Sequence, residues 1–241
     1  MNIPTLTGTI RRRILVNFRA DPDVIQRLLP QSFRPKLHDG HAVAGICLIR
    51  LENIRPKFVP GLAGINSENA AHRIAVEWDE DGEVKEGVFI PRRDTDSGLN
   101  AIAGGRLFPG EHNRADFDIT ETEQSIDFLM KSRDGRIEVG LQGSFADALP
   151  NGSMFHSVDE ASDFFKRGSL GYSVRRRGRK LDGMTLETKV WKVRPVALET
   201  VRSSFYEDGD IFPEGSIVYD HALIMQNVEH EWHSARAFAL S

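Results

Sequence analysis

Residues 67–91, SENAAHRIAVEWDEDGEVKEGVFIP, decide the fold. Two runs of alternating apolar and polar residues, 67–78 and 83–91, flank a turn that contains three acidic residues and Gly82. A period of two is typical of β-strands, and glycine supplies the positive φ that a tight hairpin turn requires. The stretch therefore predicts a hairpin of two β-strands.

Further strands are predicted on both sides of this hairpin. Residues 7–20 form an opening strand, and residues 41–51, HAVAGICLIRL, are apolar on both faces, as expected of a strand that is covered on both sides. Residues 118–145 and most of 171–232 repeat strand and turn patterns. No repeat or linker divides the chain. We therefore predict a mainly β (α+β), mostly antiparallel fold with one domain over residues 1–241.

Two or three short helices are expected to flank the strands. Residues 21–30 begin with Asp21 as N-cap and proline in the first turn. Residues 157–168 begin with a capping box at Ser157 and end at a glycine. A third short helix is predicted over 99–105, LNAIAGG, where a glycine pair ends it.

Composition and charge exclude several classes of protein. The 241 residues are 40% hydrophobic and carry a net charge of −4, which is ordinary for a globular protein. Basic runs at 11–13 and 175–180 accompany no recognised binding module, so we expect no nucleic-acid partner. The absence of a long apolar segment predicts no membrane partner. The single cysteine, Cys47, favours a cytoplasmic protein and, having no polar neighbour in the sequence, is predicted to be a core residue.

Neither a metal nor a cofactor is expected. The tract EHEWH at 229–233 resembles a metal site, but in a strand His230 and His233 point to opposite faces. The glycine pair at 104–105 lacks the following Lys-Ser/Thr of a phosphate-binding loop.

The strand over 67–78 places ionisable side chains among apolar ones. Alternation puts Glu68 and His72 on the face that also carries Ile74, and it puts Arg73 on the other face. A buried carboxylate is costly unless it is paired. Glu68 is therefore either a paired group in a cavity or an exposed residue at the strand start. His72 either lines that cavity or is a core histidine.

Cationic residues surround the helix predicted over 99–105. They are Arg92, Arg93, Arg106, His112 and Arg114. Arginine binds carboxylates through paired hydrogen bonds, so this cluster fits an anion site. A buried ion-pair network would use the same residue types, and both interpretations stay open.

Several stretches resemble the acetoacetate decarboxylase-like superfamily, and most closely an uncharacterised bacterial branch of it. They are AVAGICLIRL, SENAAHRIAVEW, GVFIPRRD, NAIAGGRLFPG and FPEGSIVYDHALIM. The resemblance covers most of the chain. It implies a cone-like antiparallel β-barrel or double sheet, an internal small-molecule pocket and a homo-oligomer. Arg106 matches the arginine of the family, and Glu68 matches the acidic residue of its pocket.

The resemblance fails at the catalytic lysine. Decarboxylases of the superfamily form a Schiff base between a lysine and the substrate ketone, and this lysine follows a Gly-Arg dipeptide. Counted from Arg106, the equivalent positions here are Asn113 and Arg114, and no lysine lies between Lys85 and Lys131. Asparagine has no amine, and arginine is not deprotonated at usable pH. Schiff-base decarboxylation is therefore disfavoured.

We expect the partner to be a small organic acid or carbonyl compound. If the site is catalytic, Glu68 or His112 would transfer a proton. The substrate would be bound by the remaining residues of the set, His72, Arg92, Arg106, Asn113 and Arg114.

Two alternatives remain. The first is a lysine-dependent lyase whose nucleophile has moved to Lys85, Lys189 or Lys192. The second is a non-catalytic binding or scaffold protein, in which the charged cluster forms a structural ion-pair network.

Overall fold

A computed structural model describes residues 4–61, 64–98, 110–174 and 180–239. Two helices in this part of the chain, α1 (Pro22–Leu28) and α2 (Val158–Arg167), flank a large sheet. The strands of the sheet are β1 (Leu6–Ala20), β2 (Arg34–Pro35), β3 (Leu37–His38), β4 (His41–Pro56), β5 (Ile65–Glu80), β6 (Glu83–Thr95), β7 (Asn113–Glu121), β8 (Ser125–Ser132), β9 (Glu138–Phe145), β10 (Leu170–Val174), β11 (Lys180–Thr188), β12 (Arg194–Ser203) and β13 (Ile217–Ala239). The predicted mainly β fold is confirmed. The helix predicted over 99–105 lies outside the described residues.

The 67–91 stretch forms the predicted hairpin. Strands β5 and β6 pair antiparallel up to Glu80 and Glu83, which face each other at the turn. Asp81 and Gly82 connect them with φ angles of 54° and 79°. Both residues therefore adopt the left-handed conformation that a two-residue hairpin turn of type I′ requires.

Both described helices begin at the predicted caps. The Asp21 carboxylate accepts hydrogen bonds from the backbone N–H groups of Asp23 and Val24. The Ser157 hydroxyl accepts one from the backbone N–H of Glu160 at 3.1 Å. None of the described helices is long and apolar enough to cross a membrane.

The strands join one continuous sheet that closes on itself twice. Strands β13, β1, β4, β5 and β6 are common to both closures. The first ring is completed by β7, β8, β9 and β12, and the second by β10 and β11. Pairing is antiparallel apart from short parallel contacts of β6 with β7 and β10. The expected single domain over residues 1–241 stays a prediction.

The central parts of the shared strands are buried on both faces, as the apolar pattern of residues 41–51 predicts. All residues from 42 to 49 in β4 are buried. Ile46 packs in one core cluster and its neighbour Cys47 in another, which also contains Phe164 and Phe165 of α2. Consecutive residues of a shared strand therefore face two different interiors.

The hairpin turn provides a test of the fold. We expect Gly82→Ala to lower the free energy of unfolding by about 1–2 kcal/mol, because an L-residue in the left-handed conformation is strained. Gly209→Ala is the matched control, since a Cβ at Gly209 would meet no atom within 4 Å and its φ is not in the left-handed range. Urea denaturation followed by circular dichroism measures both. Equal stability of the two variants would contradict the turn geometry.

Candidate functional site

Two pairs of adjacent arginines point into different interiors. Arg12 and Arg13 follow each other on β1, and Arg92 and Arg93 follow each other on β6. Since successive side chains of a strand alternate between faces, each pair divides its two charges between the two faces of the sheet. The arginines on the two faces differ in whether a carboxylate pairs with them.

Glu68 belongs to a charged network on the first face. Arg12 is fully buried and donates hydrogen bonds to Glu68 at 2.7 Å and to Glu121 at 3.1 Å. Arg50 also donates to the Glu68 carboxylate. The Glu68 charge is therefore compensated by two guanidinium groups, which is the paired state that a buried carboxylate needs.

Arg92, on the same face, is also paired with carboxylates. It contacts Asp94 at 2.7 Å and Asp134 at 2.9 Å. Burial lowers the pKa of Arg92, but the hydrogen bonds from the two carboxylates more than offset this effect, so that its pKa is raised overall. Arg92 is thus a structural cation of this face.

The second ring encloses a cavity of about 120 Å³. Each strand of that ring contributes to its lining, through Arg13, Cys47, Arg73, Arg93, Gly171, Met184 and Trp232 among others. Much of the wall is apolar. Because an engineered cavity of about 150 Å³ admits benzene, this one has room for about five or six non-hydrogen atoms.

Three guanidinium groups line the cavity, and no carboxylate pairs with them. Among the described residues, no carboxylate oxygen lies within 4.0 Å of the side-chain nitrogens of Arg13, Arg73 or Arg93. The acceptors that these arginines do have are uncharged side chains: Cys47 Sγ for Arg13 at 3.3 Å, Asn17 Oδ1 for Arg73, and Ser173 Oγ for Arg93 at 3.1 Å. The second interior therefore concentrates positive charge.

The arginine pKa values show the cost of this arrangement. Burial lowers the pKa of Arg73 to about 10 and the pKa of Arg93 to about 10. Both groups still carry a full charge at pH 7, because their pKa values lie well above 7. The cavity is therefore cationic at neutral pH, and it favours an anion.

A chain of buried hydrogen bonds orients Arg73. Its guanidinium donates to Asn17 Oδ1, and Asn17 Nδ2 lies 3.0 Å from His221 Nε2. His221 Nδ1 lies 2.6 Å from an oxygen of Asp220. If Nδ1 carries the proton, every donor in this chain meets an acceptor. Arg73 Nε is buried and has no hydrogen-bond partner, while the guanidinium is held by Asn17 and the residue contributes to the cavity lining.

His112 and Cys47 add polar atoms to the same cavity. Burial and, second, the charge of Arg93 lower the pKa of His112 to about 3, so its imidazole is neutral at pH 7. Cys47 is buried as predicted, and although it has no polar neighbour in the sequence, its Sγ accepts a hydrogen bond from Arg13. Strand closure creates this contact between residues that are far apart in sequence.

The residues that the sequence suggested as a site do not come together. His112 lines the cavity, whereas Glu68 lies in the network with Arg12 and Arg50. His72 is fully buried outside the cavity lining, 3.2 Å from Ser203 Oγ and against the Phe205 ring.

The other suggested residues are also dispersed. Arg92 is paired with two carboxylates, and Asn113 donates to the backbone carbonyl of Arg93 at 3.0 Å. Arg114 faces Gly98 and does not line the cavity. Arg106 lies outside the described residues. No group of three or more potential metal ligands occurs in the described part of the chain.

Sequence reasoning missed Arg13 and Arg73. Alternation along 67–78 does place Arg73 on the strand face that does not carry Glu68. The apolar Ala71 and Ala75 lie on the same face as Arg73 and suggest an ordinary core face there. Arg13 is the last residue of a basic run, which is typical of a solvated surface. The sequence signal that could have identified Arg13 is its position next to Arg12 in a predicted strand. Adjacent strand residues point to opposite faces, so the two charges lie on different faces.

Removing a paired arginine should destabilise the protein far more than removing an unpaired one. We expect Arg92→Met to lower the free energy of unfolding by about 3–5 kcal/mol, because Asp94 is left buried without a counter-charge. Arg93→Met should change it by no more than about 1 kcal/mol, because the lost charge has no carboxylate partner. Urea denaturation at pH 7 measures both. A larger loss for Arg93→Met than for Arg92→Met would contradict the assignment of paired and unpaired faces.

Buried His72 is expected to make the stability of the protein decrease in acid. Burial and, second, the charge of Arg92 lower its pKa to about 3, against about 6.5 in an unfolded chain. The unfolded state therefore binds the proton first as the pH falls, and stability decreases from about pH 6.5 downward, by at most about 1.4 kcal/mol per pH unit. In His72→Gln, urea midpoints between pH 7 and pH 5 should fall less steeply. An unchanged slope would show that His72 does not titrate this way.

The fold is shared with several solved structures. The acetoacetate decarboxylase of Legionella pneumophila subsp. pneumophila str. Philadelphia 1 superposes with a TM-score of 0.61 at 14% identity, over 98% of this chain and 90% of the other. An acetoacetate decarboxylase-like enzyme from Sphingomonas wittichii RW1 gives 0.59 at 13% identity, over 100% and 94%. The enduracididine biosynthesis enzyme MppR, complexed with pyruvate, gives 0.60 at 12% identity, over 100% and 91%. At these identities the likeness establishes the fold alone.

Sequence comparison establishes the family. No curated protein sequence matches the chain significantly. The family model DUF2071, described as an uncharacterized conserved protein, matches residues 7–223, which is most of the chain. The chain therefore belongs to the DUF2071 family, and its fold is that of the acetoacetate decarboxylase-like proteins.

Proposed function

We propose that the protein binds a small organic acid in the cavity of the second ring, through Arg13, Arg73 and Arg93. One observation carries this proposal: three guanidinium groups line one cavity, and no carboxylate of the described residues pairs with them, because Asp94 in the lining is paired with Arg92. A ligand carboxylate would provide the missing negative charge.

The energetics favour an anionic ligand. An unpaired buried charge is costly, and the lowered pKa values of Arg73 and Arg93 reflect that cost. Hydrogen bonds that involve a charged group contribute about 1.5–3 kcal/mol each, more than neutral ones. Two such bonds to one carboxylate would repay part of the desolvation cost of the empty site.

Cavity size restricts the ligand to a short acid. A volume of about 120 Å³ suits a 2-oxo acid of about six non-hydrogen atoms. The complex of MppR with pyruvate supports the choice of this class as a probe, although at 12% identity only the fold is common. The apolar wall formed by residues such as Ile90, Met184 and Trp232 would contact the methyl end of such a ligand.

In this proposal the cavity residues have distinct roles. The arginines bind the carboxylate, and the neutral imidazole of His112 provides a hydrogen-bonding or proton-transfer group beside the ligand carbonyl. Glu68 stabilises Arg12 and Arg50 on the opposite face and is given no role in binding. The homo-oligomer and the cytoplasmic location expected from the sequence stay predictions.

A neighbouring outer depression of about 330 Å³ would give access to the cavity. It shares Arg13, Gly168, Ser169 and Leu186 with the cavity lining, and its own lining adds Lys166, Glu187 and Lys189, of which Lys189 is paired with Glu229. Positive charges at an entrance raise the local concentration of anions, so Arg13 and Lys166 would favour the approach of an acid.

The two alternatives receive less support. None of the described lining residues is a lysine, and the segments outside the described residues contain no lysine. Lys85 and Lys189 are ion-paired with Glu83 and Glu229 at the surface, and Lys192 is exposed. A scaffold role would fit a cavity filled by its own side chains, whereas side chains leave about 120 Å³ of this cavity unfilled.

Calorimetric titration with pyruvate and with its neutral amide tests the proposal. We expect the wild-type protein to bind pyruvate at least about tenfold more tightly than pyruvamide, because the amide lacks the charge that the arginines require. Arg93→Met should weaken pyruvate binding by about tenfold to 100-fold. The matched control is Arg133→Gln, which removes an exposed arginine paired with Asp116 and should bind like wild type.

The proposal would be wrong if pyruvate and pyruvamide bound equally. It would also be wrong if Arg93→Met and Arg133→Gln behaved alike. Circular dichroism of each variant establishes that it is folded before titration.

A further inference from the structure

Cys47 lies in the middle of the cationic cavity. In the register of the sheet, Cys47 on β4 faces Ala71 on β5, and Ala71 faces Arg93 on β6. Neighbouring strands are about 4.8 Å apart, so that the Cα atoms of Cys47 and Arg93 are about 10 Å apart with only an alanine methyl between them. The small Ala71 side chain leaves open space between the thiol and the guanidinium.

Two further arginines approach the thiol from other strands. Arg13 Nε on β1 donates to Cys47 Sγ at 3.3 Å. Arg73 on β5 pairs with Gly45, two residues before Cys47, and therefore lies on the same face of the sheet. Electropositive surroundings are one feature of reactive cysteines, and Cys47, although only 9% exposed, lines the cavity.

An observation that does not involve the thiol points to a ligand at this place. The Arg73 side chain lines the cavity while its residue is only 5% exposed, and its guanidinium has no carboxylate partner among the described residues. A buried charge without a counter-charge is costly unless a ligand supplies one. The thiol and this unpaired charge line the same cavity.

We propose that Cys47 is a nucleophile that adds covalently to small electrophilic carboxylates bound by the three arginines. This proposal rests on the proposed function, because it uses the same cavity and the same class of ligand. It gives the protein a covalent site that does not require an amine.

The chemistry balances without a further reactant. With a 2-oxo acid, Cys47 Sγ forms a bond to the carbonyl carbon, and the π electrons of the C=O bond move to its oxygen. That oxygen takes up one proton, which replaces the one lost by the thiol, and the product is a thiohemiketal. The reverse steps release the acid unchanged. The guanidinium groups would stabilise the negative charge that develops on sulfur and oxygen.

Competition between iodoacetate and iodoacetamide tests the proposal. Either reagent alkylates a thiol with loss of iodide, but only iodoacetate carries a carboxylate. Because Cys47 is the single cysteine, intact-mass spectrometry follows this thiol alone, with Cys47→Ser as the blank. We expect the folded protein to react at least about tenfold faster with iodoacetate, the selectivity of one charge-assisted contact. The preference should disappear in urea.

Arginine variants connect this selectivity to the cavity. Arg93→Met should reduce the iodoacetate preference by about tenfold, whereas the surface variant Arg133→Gln should leave it unchanged. Equal or faster reaction with iodoacetamide in the folded wild-type protein would overturn the proposal. So would a thiol that reacts with neither reagent until urea is added.

A separate readout distinguishes this proposal from the proposed function. With [2-¹³C]pyruvate, the carbonyl carbon should give a second, tetrahedral resonance in the wild-type protein that is absent in Cys47→Ser. Cys47→Ser should still bind pyruvate in the calorimeter. Pyruvate binding without the tetrahedral signal would overturn the covalent site alone. If the wild-type protein did not bind pyruvate at all, both the covalent site and the proposed function would be overturned.

Discussion

The positive charge of Arg13, Arg73 and Arg93 is held inside a ring of strands in which none of the described carboxylates pairs with them, since Asp94 in the lining is paired with Arg92. Folding does not require this arrangement, because buried charges are most stable when they are paired. The same strands do provide pairing on their other face, where Arg12 contacts Glu68 and Glu121. The contrast between neighbouring residues of one strand separates the interior of ion pairs from the interior proposed to bind a ligand.

The double closure of the sheet makes this separation possible. Strands that belong to both rings have two buried faces, so consecutive residues can serve different purposes. On the first face, ion pairs and large apolar side chains fill the interior. On the second face, the small side chain of Ala71 lies in the cavity lining between Cys47 and Arg93. Buried Asn17 and His221 do not line the cavity. They hold Arg73 in place through a chain of hydrogen bonds behind it.

Local patterns in the sequence are sufficient for the parts of the fold that local forces determine. The turn at Asp81 and Gly82, the caps at Asp21 and Ser157 and the division of 67–78 into two faces all follow from them. The open interior does not follow, because it forms where β10 and β11 close against β6 and β13, far away in sequence. For this reason the sequence suggests Glu68 as a site residue, but it does not suggest Arg13 or Cys47.

The central claim is that the arginine face of β1, β5 and β6, and not the face of Glu68, receives the ligand. A crystal structure of the protein soaked in pyruvate tests it most directly. The account predicts density for the acid inside the second ring, with its carboxylate within hydrogen-bond distance of at least two of Arg13, Arg73 and Arg93. An acid bound beside Glu68 and Arg50, or an empty cavity at saturating pyruvate, would contradict it.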